Sequence, residues 1–118
     1  MIKHIVMWDI RGDNADEKLA NCLRVKKLFE DMTGEIPGMR TIEVGIDISR
    51  IDYACDVVLY SEFDSKEALE GYSSHPAHLR VRQQLSDVRT ARHQVDYLSE
   101  SKTQARHPAL TAGQESST

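Results

Sequence analysis

The stretch from Phe63 to His78, FDSKEALEGYSSHPAH, gathers a phenol and two imidazoles around one proline: Tyr72, His75, Pro76 and His78. An imidazole, with an ordinary pKa of about 6.5, exchanges protons near neutral pH, and a phenol can donate a hydrogen bond to a developing oxyanion. Pro76 disfavours helical geometry at His75, so a helix through this stretch must break or kink there. A phenol and an imidazole on either side of such a break can reach a common point. Removing a proton beside one carbonyl while stabilising an oxyanion at another is a task that His78, as base, and Tyr72, as donor, can divide without a cofactor.

Each residue also has a plainer reading. A buried tyrosine usually packs its ring and ties its hydroxyl to a partner. His75, just before the proline, suffices as a cap, and His4 stands on an apolar strand face where a hydrogen-bonded core histidine is commoner than a catalytic one. His75 and His78, three apart, could ligate a metal, but no cysteine or HExxH-type partner completes a set, so no metal is expected. Cys22 and Cys55 read as buried reduced thiols in a helix and a strand. The serines lack a GxSxG elbow, and the glycines form neither a P-loop nor a dinucleotide fingerprint.

The elements that must position these residues follow from periodicity. Ile2 to Ile10 is a strand apolar on both faces, with Ile2, His4, Val6, Trp8 and Ile10 on one and Lys3, Ile5, Met7 and Asp9 on the other. Asn14, three residues before Glu17, caps a helix with Leu19, Cys22, Leu23, Phe29 and Met32 at helical spacing as far as Gly34. After the Pro37-Gly38 turn, Ile42, Val44, Ile46 and Ile48 alternate with polar residues as a second strand, and Ala54 to Phe63 reads as a third. Asp64 and Glu67 predict a second capping box, followed beyond Pro76 by a helical segment to Val88 with Leu79 and Leu85 inward. The charged run from Arg80 to Arg92 reads as that helix's solvated face. His93 to Leu98 alternates as a fourth strand, and residues 99–118 form a polar, aperiodic tail.

This β-α-β-β-α-β order is the ferredoxin-like α+β pattern: a four-stranded antiparallel sheet with both helices on one face. Residues 1–98 make one domain. The other sheet face would expose Ile5, Met7 and residues of the third strand, which predicts a homodimer packed sheet to sheet. The chain's 118 residues, 40% apolar and 29% charged, have the balance of a globular protein. A net charge of −4 argues against nucleic acid as a partner, because backbone-phosphate binders carry a basic footprint. No apolar run approaches the roughly 20 residues of a membrane span, and the N-terminal residues lack a signal's cleavage region, so a cytoplasmic protein is expected.

Together with Lys3-His4-Ile5-Val6, Ile36-Pro37-Gly38-Met39, Gly45 and Val95-Asp96-Tyr97, the stretch from Phe63 to His78 resembles the Dabb family of stress-responsive A/B barrel domains over about residues 1 to 98. The resemblance implies a dimeric α+β barrel with a pocket in each subunit between sheet and helices. In the family's plant polyketide cyclases a tyrosine and the second histidine of an HPxH motif act as the acid–base pair, which places those roles on Tyr72 and His78, with His4 as the first-strand histidine of the pocket. Those cyclases use a further tyrosine from the first helix, where this chain reads Arg24-Val25-Lys26-Lys27-Leu28. The expectation is a small pocket lined by His4, Val6, Trp8 and His75 that takes an apolar or aromatic carbonyl compound, either for cofactor-free cyclase-like chemistry or as a non-catalytic ligand-binding or stress-response protein with structural histidines.

Overall fold

The two-sided apolar run at the N-terminus forms β1 (Ile2–Ile10), and it is the spine of the molecule. β1 pairs antiparallel with two neighbours and buries one face in the core, while the apolar Ile5 and Met7 lie on the other face, which the chain itself leaves partly open. The elements, in chain order, are β1, α1 (Ala15–Glu30), β2 (Met39–Ile46), β3 (Val57–Phe63), α2 (Lys66–Ser74), α3 (Pro76–Gln84) and β4 (Arg89–Leu98). Their sheet order, β2-β3-β1-β4, is that of the ferredoxin-like fold. The computed structural model describes residues 1–99; the rest of the expected tail, 100–118, lies outside them.

Alternation along the strands sorts the residues by face. Val6, Trp8 and Ile10 of β1 are buried with Val44 of β2, Leu59 and Phe63 of β3, and the inner sides of the helices. Side chains of this size each contribute about 1.5–3 kcal/mol when fully buried. On the opposite face Met7, Val95 and Tyr97 stand 38%, 52% and 45% exposed, the apolar surface that the sequence pattern predicts.

Three contacts fix the frame around the site. Asn14 caps α1 by accepting the Glu17 N–H at 2.8 Å, while the Glu17 carboxylate accepts the Asp13 N–H. Asp56, buried at the start of β3, accepts hydrogen bonds from the Ile10 N–H, Lys18 and Arg50. Burial opposes its ionisation, but those three donors outweigh the desolvation and hold its carboxyl below the usual range. The third is the break at His75, whose backbone turns extended (φ −66°, ψ 137°) so that Pro76 opens α3 at a position where its missing N–H costs nothing.

Several expectations are corrected by the coordinates. α1 ends at Glu30, with Asp31 as its C-cap, rather than reaching Gly34. Its buried stripe is Cys22, Val25 and Phe29, and Leu19 and Leu23 face outward, because a stripe one residue over meets the sheet. Ser65, not Asp64, caps α2, and Asp64 pairs instead with Arg40. Leu79 is exposed while Ala77 and Val81 face inward. Ile48 lies beyond the end of β2 and is almost fully exposed. β3 begins at Val57, and β4 begins at Arg89, four residues earlier than alternation alone suggests. The run from Arg80 to Arg92 is therefore not one helix face: it spans the end of α3, a turn and the start of β4. Both cysteines are free thiols; Cys22 is buried and Cys55 partly so.

Candidate active site

The break at His75 brings the two sides of the motif together. Tyr72 is in the last turn of α2 and His78 in the first turn of α3, and their ring centroids lie 4.2 Å apart. Phe63 of β3 and His4 of β1 complete the surroundings of the Tyr72 ring, at 5.1 and 6.0 Å. Tyr72 is 2% exposed, and its hydroxyl has no hydrogen-bond partner among the described residues. A buried phenol without a partner costs about 1–3 kcal/mol, so the sequence expectation of a hydroxyl tied to backbone fails here. Burial pushes the Tyr72 phenol far above its usual value, against the opposing charges of Arg89 and Arg92, so the group is a hydrogen-bond donor and not a phenolate.

His78 is held in one orientation. Its Nδ1 lies 3.2 Å from the Ser73 carbonyl oxygen, so Nδ1–H donates to that carbonyl and the neutral ring keeps its lone pair on Nε2. Burial pushes the imidazole below its ordinary range; the Ser73 carbonyl opposes this, and the positive charges of Arg82 and Arg89 reinforce it. A neutral imidazole with a free Nε2 is a competent general base at neutral pH.

His4 has a partner that sequence reasoning missed. Asp96 stands opposite it in the β1–β4 register, and its Oδ1 lies 2.5 Å from His4 Nδ1. A polar file continues along β4: Gln94 donates to Asp96 at 3.0 Å, and Arg92 donates to Gln94. Alternation in the fourth strand puts Arg92, Gln94 and Asp96 on the face that His4 occupies. That signal was readable, but only after β4 had been paired with β1.

Trp8 stacks on Phe29 at 5.3 Å, and the Arg89 guanidinium lies over its ring at 4.9 Å. Val6, between His4 and Trp8 on the same strand face, is buried. His75 serves the backbone: its Nδ1 accepts the Ala77 N–H at 3.0 Å and caps α3. Among the described residues no three His, Cys, Asp or Glu side chains gather closely enough to hold a metal ion.

A family model described as Stress Responsive A/B Barrel Domain matches residues 2–99. The chain belongs to this family. An uncharacterised protein of Streptomyces coelicolor is 31% identical over 78 residues, which cover 66% of this chain and 79% of that one. The crystal structure of a dimeric protein of unknown function with a ferredoxin-like fold, from Bacteroides fragilis, superposes with a TM-score of 0.74 at 32% identity, over 83% of this chain and 95% of that one. A hydroxynitrile lyase from Passiflora edulis shares the fold, with a TM-score of 0.69 at 15% identity over 85% of this chain and 94% of that one. The Dabb resemblance read from the HPxH stretch and the ferredoxin-like fold read from periodicity both hold.

Within this Dabb chain the structure gathers Tyr72, His78 and His4, with Val6 and Trp8 on the same face of β1 as His4, whereas His75 is turned to capping. The residues that sequence reasoning missed are Asp96, which partners His4, and Arg89, which sits half-buried over Trp8 and not on a solvated helix face.

Proposed function

We propose that this Dabb protein carries out cofactor-free acid–base chemistry on a carbonyl compound, in the space between sheet and helices where Tyr72, His78 and His4 meet. The reading rests on one observation above others, the buried Tyr72 hydroxyl with no partner among the described residues. Orphaned buried donors are rare, and one beside an oriented imidazole suits a ligand oxygen. His78 Nε2 takes the proton next to the carbonyl, and the Tyr72 hydroxyl stabilises the enolate oxygen that forms. In this reading His4, held by Asp96, stands beside the Tyr72 ring, and Val6 and Trp8 continue the same strand face. A hydroxynitrile lyase on the same fold is a precedent for lyase chemistry on such a scaffold, though the identity between the chains supports the fold alone.

The same reading has the chain work as a homodimer that covers the open sheet face, as the dimeric Bacteroides fragilis relative suggests. A second reading, a non-catalytic binding or stress-response protein, is favoured by the backbone hydrogen bonds of His75 and His78, which give both histidines structural work.

Exchange of α-protons separates the two without knowledge of the natural substrate. Aryl methyl ketones and polyketide-like β-keto compounds are incubated in D2O with wild type, Tyr72→Phe and His78→Ala, and loss of the α-proton signal is followed by NMR. General-base catalysis is expected to speed exchange by about 100-fold or more for at least one ketone in wild type, and by far less in either variant. Exchange no faster than in buffer across the series, or equal in all three proteins, rejects the catalytic reading.

A further inference from the structure

Arg82, Arg89 and Arg92 meet at one cleft of about 200 Å3 beside Trp8. Arg82 comes from the last turn of α3, one helical turn beyond His78; Arg89 opens β4; Arg92 stands opposite Trp8 in the β1–β4 register. The chain carries 19 acidic side chains against 15 Lys and Arg, yet among the described residues none of these three guanidiniums pairs with a carboxylate. Elsewhere Arg40 pairs with Asp64 and Arg50 with Asp47 and Asp56, while Arg11 and Arg24 donate to backbone carbonyls; what sets the cleft apart is that its three arginines converge on one space. Arg89 is also half-buried and fixed over the indole ring, which leaves it desolvated without a counter-charge. Burial, with Arg92 and Arg82 nearby, pushes its guanidinium below the usual range. Arg82 and Arg92 are exposed, and Arg92 donates to Gln94, so it is Arg89, partly buried without a counter-charge, that an anion in the cleft would stabilise most.

The cleft adjoins the candidate site. Trp8 lies four residues along β1 from His4 on the same face, about 13 Å at ordinary strand rise. The charges of Arg89 and Arg92 act on the Tyr72 phenol, and those of Arg82 and Arg89 on His78. A ligand with its carbonyl at Tyr72 that extends toward Trp8 would present its far end to the three arginines.

We propose that the cleft bounded by Trp8, Arg82, Arg89 and Arg92 is a carboxylate subsite, so that the substrate is an anionic carbonyl compound whose acid group lies at the end remote from the reacting carbonyl. This rests on the reading of Tyr72 and His78 given above and adds the class of compound they act on. A planar guanidinium fork matches a carboxylate in two parallel hydrogen bonds, and the Trp8 ring holds Arg89 in place for it.

Calorimetric titration with 4'-acetylbiphenyl-4-carboxylate, long enough to reach from Tyr72 toward the arginines, and with its neutral methyl ester tests the proposal. Wild type is expected to bind the acid about tenfold more tightly than the ester, in line with a charge-assisted pair, and the preference should shrink in high salt. Arg89→Met is expected to abolish the preference, weakening the acid about tenfold more than the ester. Arg92→Met provides the same comparison should Arg89→Met not fold. His78→Ala should keep the preference, so loss of α-proton exchange in that variant and loss of anion selectivity in the arginine variants fail independently. Equal affinity of wild type for acid and ester, or an undiminished preference in the folded arginine variant, overturns the subsite.

Discussion

The chemistry proposed for the site turns on how two side chains are prevented from satisfying themselves. Tyr72 has its ring packed among Phe63, His4 and His78 and its hydroxyl left without a partner among the described residues. His78 has Nδ1 committed to the Ser73 carbonyl and Nε2 available. The burial of His78 has a thermodynamic signature. Because burial lowers its folded-state pKa, the unfolded chain binds more protons between that lowered value and about 6.5, and stability must rise with pH across this window. The contribution is present in full above about 6.5 and is lost as the pH falls through the folded-state value. Urea unfolding from pH 5 to pH 7.5 is expected to show wild type losing stability relative to His78→Gln toward the acid end; parallel curves would mean that His78 is not desolvated in solution. The identities of Tyr72 and His78 were legible in the sequence because the HPxH stretch places them across a proline break. The orphaned hydroxyl was not, since a tyrosine's partners depend on strands far away in the chain.

At the scale of the elements, the device that builds the site is the break between α2 and α3. An unbroken helix would put residues 72 and 78 about 600° apart around the axis at 3.6 residues per turn, which is 120° from sharing a face. The extended backbone at His75 removes that constraint, and the His75 imidazole stabilises the restart by capping the Ala77 N–H. Replacing His75 by alanine should cost about 1 kcal/mol in denaturant unfolding, as loss of an N-cap does, and should leave ligand affinity nearly unchanged. A large loss of affinity with unchanged stability would instead make His75 part of the pocket wall. The break was predictable from Pro76 alone. The cap at Ser65 rather than Asp64 was not, because both residues are good N-caps and only the pairing of Asp64 with Arg40 decides between them. Likewise the run from Arg80 to Arg92 reads as one solvated helix until β4 is seen to start at Arg89, and that misreading concealed the arginine cleft.

For the whole molecule, the four-stranded ferredoxin-like sheet followed from the order of the elements, and β1, apolar on both faces, is central in it. What periodicity could not show is which polar residues of β4 meet β1, so Asp96 beside His4 emerged only from the register. The open face of the sheet, with Met7, Val95 and Tyr97 partly exposed, is the surface on which a second copy is expected to pack. Light scattering at micromolar concentration should give the mass of a dimer for wild type and of a monomer for Met7→Glu, which places a charge in the middle of that face; a monomeric wild type would leave the face without its proposed cover. The central claim is that the Tyr72 hydroxyl is kept unpartnered for a ligand's carbonyl oxygen. It is tested most directly by isotope-edited infrared spectroscopy of a 13C-carbonyl ketone bound to wild type and to Tyr72→Phe. The predicted result is a carbonyl stretch shifted to lower frequency in wild type and restored toward its unbound position in the variant, and an identical frequency in both proteins would contradict it.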